Sequence, residues 1–433
     1  MCEMRQVTRA SRQIGLIGIG MGTEEMLTES ARTFLADSDC VIGAKRMVEP
    51  FRKAGQDGAE YGTDRVWVEE YRKEAIVQIL KDHPEYRKVA VLFSGDCGFY
   101  SGAKGLNHLL EESSEWVEDE YGAYEVQWFP GISSLQYFCA KIHKSWEDAK
   151  IISLHGTEEN AIDAILYRKK IFLLLGDTKR SDALCEKLQY YQITEGTVWI
   201  GKNLSYPEET IEKKSLKDLE KEDLQGLCVA LIERKHPLER RTGSIADEEF
   251  IRGKVPMTKS EVRSLCLAKL NLPEDGILYD IGAGTGSISV EAAVKGGNRK
   301  IYAIEQNPEG VELIRQNARK FYADQIRIIE GKAPEVLKDL EAPTHAFIGG
   351  SSGNLREILS CLKEKNPQVK IVMTCISLKT LSEVLELMAE NVLVDTEVLQ
   401  IAVSKAKQVG VHPMMMGQNP IYLISGKLET SRC

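Results

Sequence analysis

Gly282, Gly284 and Gly286 alternate with Ala283 and Thr285 directly after the β-rich run "GILYDI" and directly before "SISVEAAV". A glycine turn between a parallel strand and a helix sets backbone N–H groups and the positive helix end against a bound ligand. The spacing separates two ligand classes. A dinucleotide turn needs its third glycine one residue later, where this chain has Ser287. S-adenosylmethionine has no pyrophosphate to cradle, and a GxGxG turn suits it. Glu305 closes the next strand-like run, "KIYAIE", about 20 residues past the last glycine, where a carboxylate accepts hydrogen bonds from both ribose hydroxyls. Asp280 ends the first strand, beside the positively charged part of such a ligand. Ala333, in "EGKAP", leaves room for a flat adenine. Methyl transfer from a sulfonium asks mainly for alignment of nucleophile and methyl, so no catalytic acid or base is assigned.

The N-terminal half carries a different set. "IGLIGIGMG" is a second glycine turn, weak as a signal by itself. "LFSGDCGFYSG" places Asp96 in a glycine-flanked turn after a strand, and "FPGISSLQ" places Ser133 and Ser134 after another. His155 stands at a strand end, as a general base or as a satisfied structural residue. Cys97 is a nucleophile or a plain thiol, with nothing basic close by in sequence. Lys259 and Arg263, four apart, share a helix face, which meets either solvent or an acidic substrate. Ser351, Ser352 and Asn354 either cap the next helix or touch ligand. "HPMMMGQNP" either covers a ligand or is a surface hairpin.

Short β-rich runs alternate with amphipathic stretches, helical over residues 69–81 and 103–112 among others, which predicts an α/β architecture with mainly parallel sheets. At 433 residues the chain suits two or three domains. Residues 233–256 are charged and poor in large apolar side chains. We place a linker at 236–255, between one domain at 12–235, with subdomains of about 12–122 and 123–235, and another at 256–433. The net charge of −9 lies wholly before Pro256, and the rest is neutral. With no basic stripe, a nucleic-acid partner is not expected. No apolar run reaches the ~18 residues that cross a bilayer. The basic N-terminus feeds a glycine-broken strand rather than a secretory segment, so a cytoplasmic protein is expected. The ten cysteines show no metal spacing, and no metal is expected.

Two resemblances sharpen these expectations. "DEEFIRGKVPMTKSEVRSLCLAKLNL", "ILYDIGAGTGSISVEAA", "AIEQNPEGVELIRQNARKF", "EGKAPEVL" and "AFIGGSSGNL" resemble the decarboxylating precorrin methyltransferases of corrin (vitamin B12) biosynthesis, over nearly all of the chain from Asp247. That resemblance implies a Rossmann-like S-adenosylmethionine-dependent methyltransferase fold. It implies cofactor contacts at Thr258, Gly282, Ala283, Gly284, Thr285, Gly286, Glu305 and Ala333. It also implies that Gly350, Ser351, Ser352 and Gly353 face the tetrapyrrole, with Lys259 and Arg263 as further substrate contacts. "MTCISLKT" departs from the family, which more often has Asn near Thr374 and an acid near Lys379.

From Ile14 to about Glu233 the chain resembles the tetrapyrrole methylases, in particular the corrin branch that acts on carbon 5. That family binds S-adenosylmethionine in a cleft between two α/β subdomains. The resemblance implies cofactor contacts at Asp96, Phe99, Ser133 and Ser134, with the turn around Gly20 on the substrate side. The family's usual proline after the aspartate is here Cys97, and its usual arginine after "SLHG" is Thr157. Together the two imply a bifunctional enzyme with one S-adenosylmethionine per domain. It would methylate carbons 5 and 15 of a precorrin or cobalt-precorrin and decarboxylate the ring C acetate, as a homo-oligomer. The rivals are a methyltransferase for another acceptor such as RNA, and a protein with one degenerate ligand-binding module.

Overall fold

A computed structural model of the chain describes residues 12–56, 65–112, 124–154 and 159–429. The chain divides into two compact units. One comprises Met1–Gly156, Lys170–Asp182 and Gly196–Glu233. The other comprises Thr157–Lys169, Ala183–Glu195 and Arg234–Cys433. No helix among the described residues is long and apolar enough to cross a membrane.

In the first unit, β1 (Arg12–Gly18), β2 (Cys40–Gly43), β3 (Val66–Glu69), β4 (Lys88–Phe93) and β5 (Tyr124–Phe129) form a wholly parallel sheet in the order β3-β2-β4-β1-β5. Parallel strands need long crossovers, and α1 (Glu29–Ala36), α2 (Lys45–Gln56), α3 (Lys73–Asp82) and α4 (Ala103–Glu112) lie within them. The two-residue period sends Ile14, Leu16 and Val89 into one apolar cluster and Ile17, Ala90 and Leu92 into another. Both faces are therefore buried, as parallel sheets require. The helix expected over 69–81 starts later, at Lys73. Residues 66–69 are a half-exposed edge strand, too short to show a period.

A second sheet holds β6 (Lys150–Ser153), β7 (Lys170–Leu174), β8 (Thr197–Lys202), β9 (Thr210–Ser215) and β10 (Cys228–Glu233), ordered β6-β7-β10-β8-β9. Only β6 and β7 run parallel; β7-β10, β10-β8 and β8-β9 are antiparallel. The expectation of mainly parallel sheets fails here for a local reason. The connections after β8 and β9 carry no long helix that could return the chain to a parallel start. Three helices belong to this stretch of chain: α5 (Ser134–Lys141), α6 (Ala161–Tyr167) and α7 (Thr178–Tyr190). Of these, α6 and the last part of α7 group with the second unit.

The second unit is built on seven strands: β11 (Ile277–Ile281), β12 (Lys300–Glu305), β13 (Ile326–Glu330), β14 (His345–Ile348), β15 (Lys370–Cys375), β16 (Leu393–Ile401) and β19 (Ile421–Leu428). Their order is β13-β12-β11-β14-β15-β19-β16. The first five are parallel, and β19 is antiparallel to both neighbours. The helices are α8 (Ser260–Leu270), α9 (Ser287–Val294), α10 (Pro308–Lys320), α11 (Leu355–Lys365) and α12 (Leu378–Ala389). Tyr279, Ile281, Ile304, Ile348 and Ile371 pack on one face, and Leu278, Ile301, Phe347 and Val372 on the other. Strand order reverses between β11 and β14, where an open α/β sheet forms its ligand crevice. The pair β17 (Ser404–Val409) and β18 (His412–Gly417) forms a separate ribbon, with Met414, Met415 and Met416 exposed. Within 236–255, Ile245, Asp247 and Phe250 are buried.

Candidate functional site

The crevice at the carboxyl ends of β11, β12, β14 and β15 opens into a cavity of about 580 Å³. Gly282, Ala283, Gly284, Glu305, Ala333 and Thr258 all line it, as do Lys259, Gly350, Ser351 and Ser352. The glycines are needed as glycines. Gly282, Gly284 and Gly286 have φ of 72°, 58° and 75°, where a side chain is strained. A Cβ on Gly282 would lie 2.7 Å from the Gly350 carbonyl oxygen, and one on Gly284 would lie 2.7 Å from that of Pro256. The cavity floor is thus bare backbone, which a ligand can approach closely.

The donors of this turn are disposed differently from the sequence expectation. Gly282 N–H and Ala283 N–H donate to the Ile304 carbonyl at 3.0 and 3.1 Å, and Gly286 N–H donates to that of Ala283 at 2.8 Å. Gly284 N–H donates to Glu305 Oε2 at 2.8 Å, and Glu305 Oε1 accepts Asn307 N–H at 2.8 Å. The turn therefore offers no free cradle of amides at these four positions. What faces the cavity is the Glu305 carboxylate, 7% exposed, with lone pairs left on both oxygens. Such a site attracts hydroxyl donors and repels a pyrophosphate. Asn307 also caps α10 through Glu309 N–H at 2.9 Å, with Pro308 in the first helical position.

Four expected contacts lie elsewhere. Thr285 is fully buried behind the turn, its carbonyl held by Asn317 Nδ2 at 3.0 Å. Gly286 starts α9 and packs on Ile314. Gly353 is exposed and outside the cavity lining. Arg263 is the largest departure. It is fully buried, with Nε on Glu291 Oε2 at 2.6 Å, Nη1 on Asp247 Oδ1 at 3.3 Å and on the Thr258 carbonyl at 2.7 Å, and Nη2 on the Ile245 carbonyl. Lys259 is the N-cap residue of α8, so the two do not share a helical face toward substrate. Arg263 instead ties down residues 245–258, whose end forms a cavity wall with Val255, Pro256 and Met257.

Asp280 points away from the cavity into the core. Its Oδ2 accepts the hydroxyl of Ser289 at 2.5 Å and the Ser289 N–H at 3.1 Å, and its Oδ1 is buried without a partner. Burial pushes this carboxyl up to about 7. The Ser289 hydrogen bonds oppose the rise, and the Glu305 charge adds to it. Folding thus raises the affinity of Asp280 for its proton. The stability gained is full below the ordinary carboxylate range and is lost as pH rises toward about 7. Thermal unfolding of the second unit should accordingly shift to lower temperature between pH 5 and pH 8. Asp280→Asn should flatten that slope; an unchanged slope in the variant would contradict the assignment.

Ser351 and Ser352 do not cap α11. Its N-cap is Asn354, whose side chain donates instead to the Ala333 carbonyl at 3.2 Å, while Ser352 Oγ accepts Gln306 Nε2 at 2.8 Å. Gln306, Lys332, Thr374, Gln418 and Asn419 also line the cavity. Gln418 and Asn419 belong to the "HPMMMGQNP" segment, whose end therefore reaches the cavity, whereas no spacing rule flagged Gln306 or Lys332, which follow β12 and β13.

In the first unit a cavity of about 510 Å³ lies where the carboxyl ends of β1, β2 and β4 meet the second sheet. Phe99 and Ser134 line it; Asp96, Ser133 and Gly20 do not. Asp96 organises the wall: Oδ1 accepts Gly98 N–H at 2.8 Å and Oδ2 accepts Gly131 N–H at 3.0 Å. Ser133 is buried and starts α5 through a capping box with Gln136. Gly20 and Gly95 exchange backbone hydrogen bonds at 3.1 and 2.7 Å. Ser205 Oγ donates to the Met21 carbonyl at 2.7 Å, and Glu209 holds Ser205 N–H, the Tyr137 hydroxyl and Lys141. Cys97 is buried. Its thiol faces the Leu16 carbonyl at 3.3 Å, and burial pushes it up to about 12, so it is no nucleophile. The Asp96 turn is nonetheless intact with cysteine in the proline position. His155 and Thr157 lie outside the described residues. Among the described residues no group of three or more His, Cys, Asp or Glu could hold a metal ion.

Comparison with known proteins covers both units. Residues 249–426 match the family model of the precorrin methyltransferase domain. Residues 13–220 match that of the tetrapyrrole (corrin/porphyrin) methylases. A curated relative from Pyrobaculum calidifontis, named a probable cobalt-precorrin-6B C(15)-methyltransferase (decarboxylating), is 41% identical over 187 residues, covering 42% of this chain and 95% of the relative. The cobalt-precorrin-6B C(15)-methyltransferase (decarboxylating) of Salmonella typhimurium is 34% identical over 185 residues, with 42% and 95% coverage. A solved structure of precorrin-6Y C5,15-methyltransferase from Geobacter metallireducens is 37% identical, covers 43% of this chain and 98% of that one, and has a TM-score of 0.41.

Proposed function

Since the chain belongs to the precorrin methyltransferase family, we propose that it is a bifunctional S-adenosylmethionine-dependent C-methyltransferase of corrin biosynthesis. The second unit methylates carbon 15 of a precorrin or cobalt-precorrin and releases the ring C acetate carboxyl as carbon dioxide. The first unit methylates carbon 5. Methylases of this family use S-adenosylmethionine, and each unit takes one.

The observation that carries this reading is the pairing of Glu305 with the glycine turn. A buried carboxylate beside a backbone floor whose amides are spent suits a ligand that presents hydroxyl donors and close-lying carbon rather than phosphate. Ala333, buried at the cavity edge, leaves space for a flat base. The bound cofactor supplies an activated methyl on a sulfonium. The chain's residues supply alignment: Gly282 and Gly350 set the floor, Thr258 and Pro256 a wall, and Lys259 and Lys332 add positive charge at the cavity. The macrocycle can take up the electrons released with carbon dioxide, so the protein needs no further electron acceptor. Holding both units on one chain raises the local concentration of one product at the other site.

Calorimetric titration with S-adenosylmethionine should find two sites per chain. Incubation with labelled cofactor and a precorrin-6 form should yield a product heavier by two methyls and lighter by one carbon dioxide. Asp96→Ala should lose only the carbon 5 methyl. A single cofactor site, or a product with one methyl, would restrict the activity to one unit.

A further inference from the structure

The cavity of the first unit contains one formal charge. Of the residues lining its roughly 510 Å³, only Arg46 is ionised at neutral pH; the rest are glycines, apolar side chains, hydroxyls and a thiol. Arg46 sits in the first turn of α2, immediately after β2, so the parallel sheet itself delivers it to the cavity. Its guanidinium makes no hydrogen bond or ion pair among the described residues. The nearest acid on its own helix face, Glu49, is taken by Lys53 at 2.8 Å. Tyr100 and Tyr206, 52% and 42% exposed, line the same cavity, and Tyr100 is held at a φ of 48°. The lining thus offers two exposed aromatic rings and one unneutralised fork of donors, with no carboxylate.

We propose that Arg46 is the substrate-anchoring residue of the first unit, binding a peripheral carboxylate of the tetrapyrrole while Tyr100 and Tyr206 flank the macrocycle. This deepens the carbon 5 assignment and rests on it. A guanidinium is the group best matched to a carboxylate, through two parallel N–H···O bonds. A cavity without acids leaves it free to pair. The cofactor also carries a carboxylate, so the shared chemistry is carboxylate recognition and the test must separate its two sources. The position of Arg46 favours the substrate. It is exposed, like the two tyrosines, whereas the Asp96 and Ser133 turns expected to hold the cofactor are folded into the wall.

Arg46→Gln in the full chain tests this. Carbon 5 methyl transfer should show a KM for the tetrapyrrole raised by about ten- to a hundredfold, the range lost with a charge-assisted hydrogen bond, with kcat little changed. Arg46→Lys should fall between. Affinity for S-adenosylmethionine, titrated alone, should be unaltered. Cobyrinic acid should inhibit the variant more weakly than the parent, whereas its heptamethyl ester should inhibit both equally. An unchanged KM overturns the proposal, as does an equal loss of inhibition by acid and ester. A loss of cofactor affinity matching the rise in KM would move the guanidinium to the cofactor carboxylate and also overturn it. If the parent chain itself transfers no methyl to carbon 5, the reading beneath the proposal is what fails.

Discussion

Glu305→Ala is expected to abolish cofactor binding in the second unit and leave binding in the first intact. The side chain does two jobs at one place. Its oxygens accept Gly284 N–H and Asn307 N–H, both at 2.8 Å, and they carry the lone pairs that face the cavity. Truncation leaves two amides unpaired at a 7% exposed position, at about 1–3 kcal/mol each. It also removes the only carboxylate among the cavity-lining residues. Together these predict a loss of at least about a hundredfold in affinity. By calorimetry the stoichiometry should fall from two S-adenosylmethionine per chain to one. Decarboxylation should disappear while the carbon 5 methyl is still added. Glu305→Gln keeps the volume and one carbonyl acceptor, so it should bind with intermediate affinity. If Glu305→Ala retained two sites of parental affinity, the ribose-acceptor role would be refuted.

Arg263→Met should be the most damaging single change to the stability of the second unit. Arg263 and Glu291 are 0% and 1% exposed, and the guanidinium reaches two carboxylates and two carbonyls. It also lies over the Phe250 ring, 4.8 Å from its centroid. Removing one partner leaves a buried charge uncompensated, which costs about 3–5 kcal/mol. Glu291 keeps Ser244 Oγ and Ile245 N–H, but neither neutralises it. The double variant Arg263→Met/Glu291→Leu should regain much of the loss, because well-packed apolar groups replace buried ion pairs at little cost. The wall residue Thr258 is tied through its carbonyl to the same guanidinium, so cofactor affinity should fall with stability in the single variant. Denaturant unfolding of the full chain, followed beside cofactor titration, reads both. A loss under about 1 kcal/mol would mean that the pair is not the clamp its burial indicates.

Much of the cavity in the second unit was legible because its signals are local. The glycine spacing, the acid at the end of the next strand and the small residue after the third all sit at strand ends. A parallel sheet brings consecutive strand ends to one edge, so residues at those ends meet whatever else the chain does. Six of the eight cofactor contacts expected there line the cavity. The other two, Thr285 and Gly286, follow the turn as it bends away into α9, a change of direction that no residue type announces. In the first unit Phe99 and Ser134 face the cavity, while Asp96 spends its oxygens on neighbouring backbone amides and Ser133 exchanges its hydrogen bonds with Gln136. The mixed second sheet was less legible, since a short apolar run says little about strand direction.

Residue spacing alone was enough for the α/β class, the two unlike glycine turns and the carboxylate that closes the second strand of the crevice. Each follows from covalent spacing along a strand, turn or helix. Only the tertiary structure decided which polar groups remain free to act. It drew Arg263 into the core, consumed the turn's amides on Ile304 and Glu305, turned Asp280 toward Ser289 and left Arg46 unpaired in a cavity without acids. The physical reason is that a donor, acceptor or charge is defined by its partners and its exposure to water. Those are set by groups tens of residues away that the chain's linear order does not reveal.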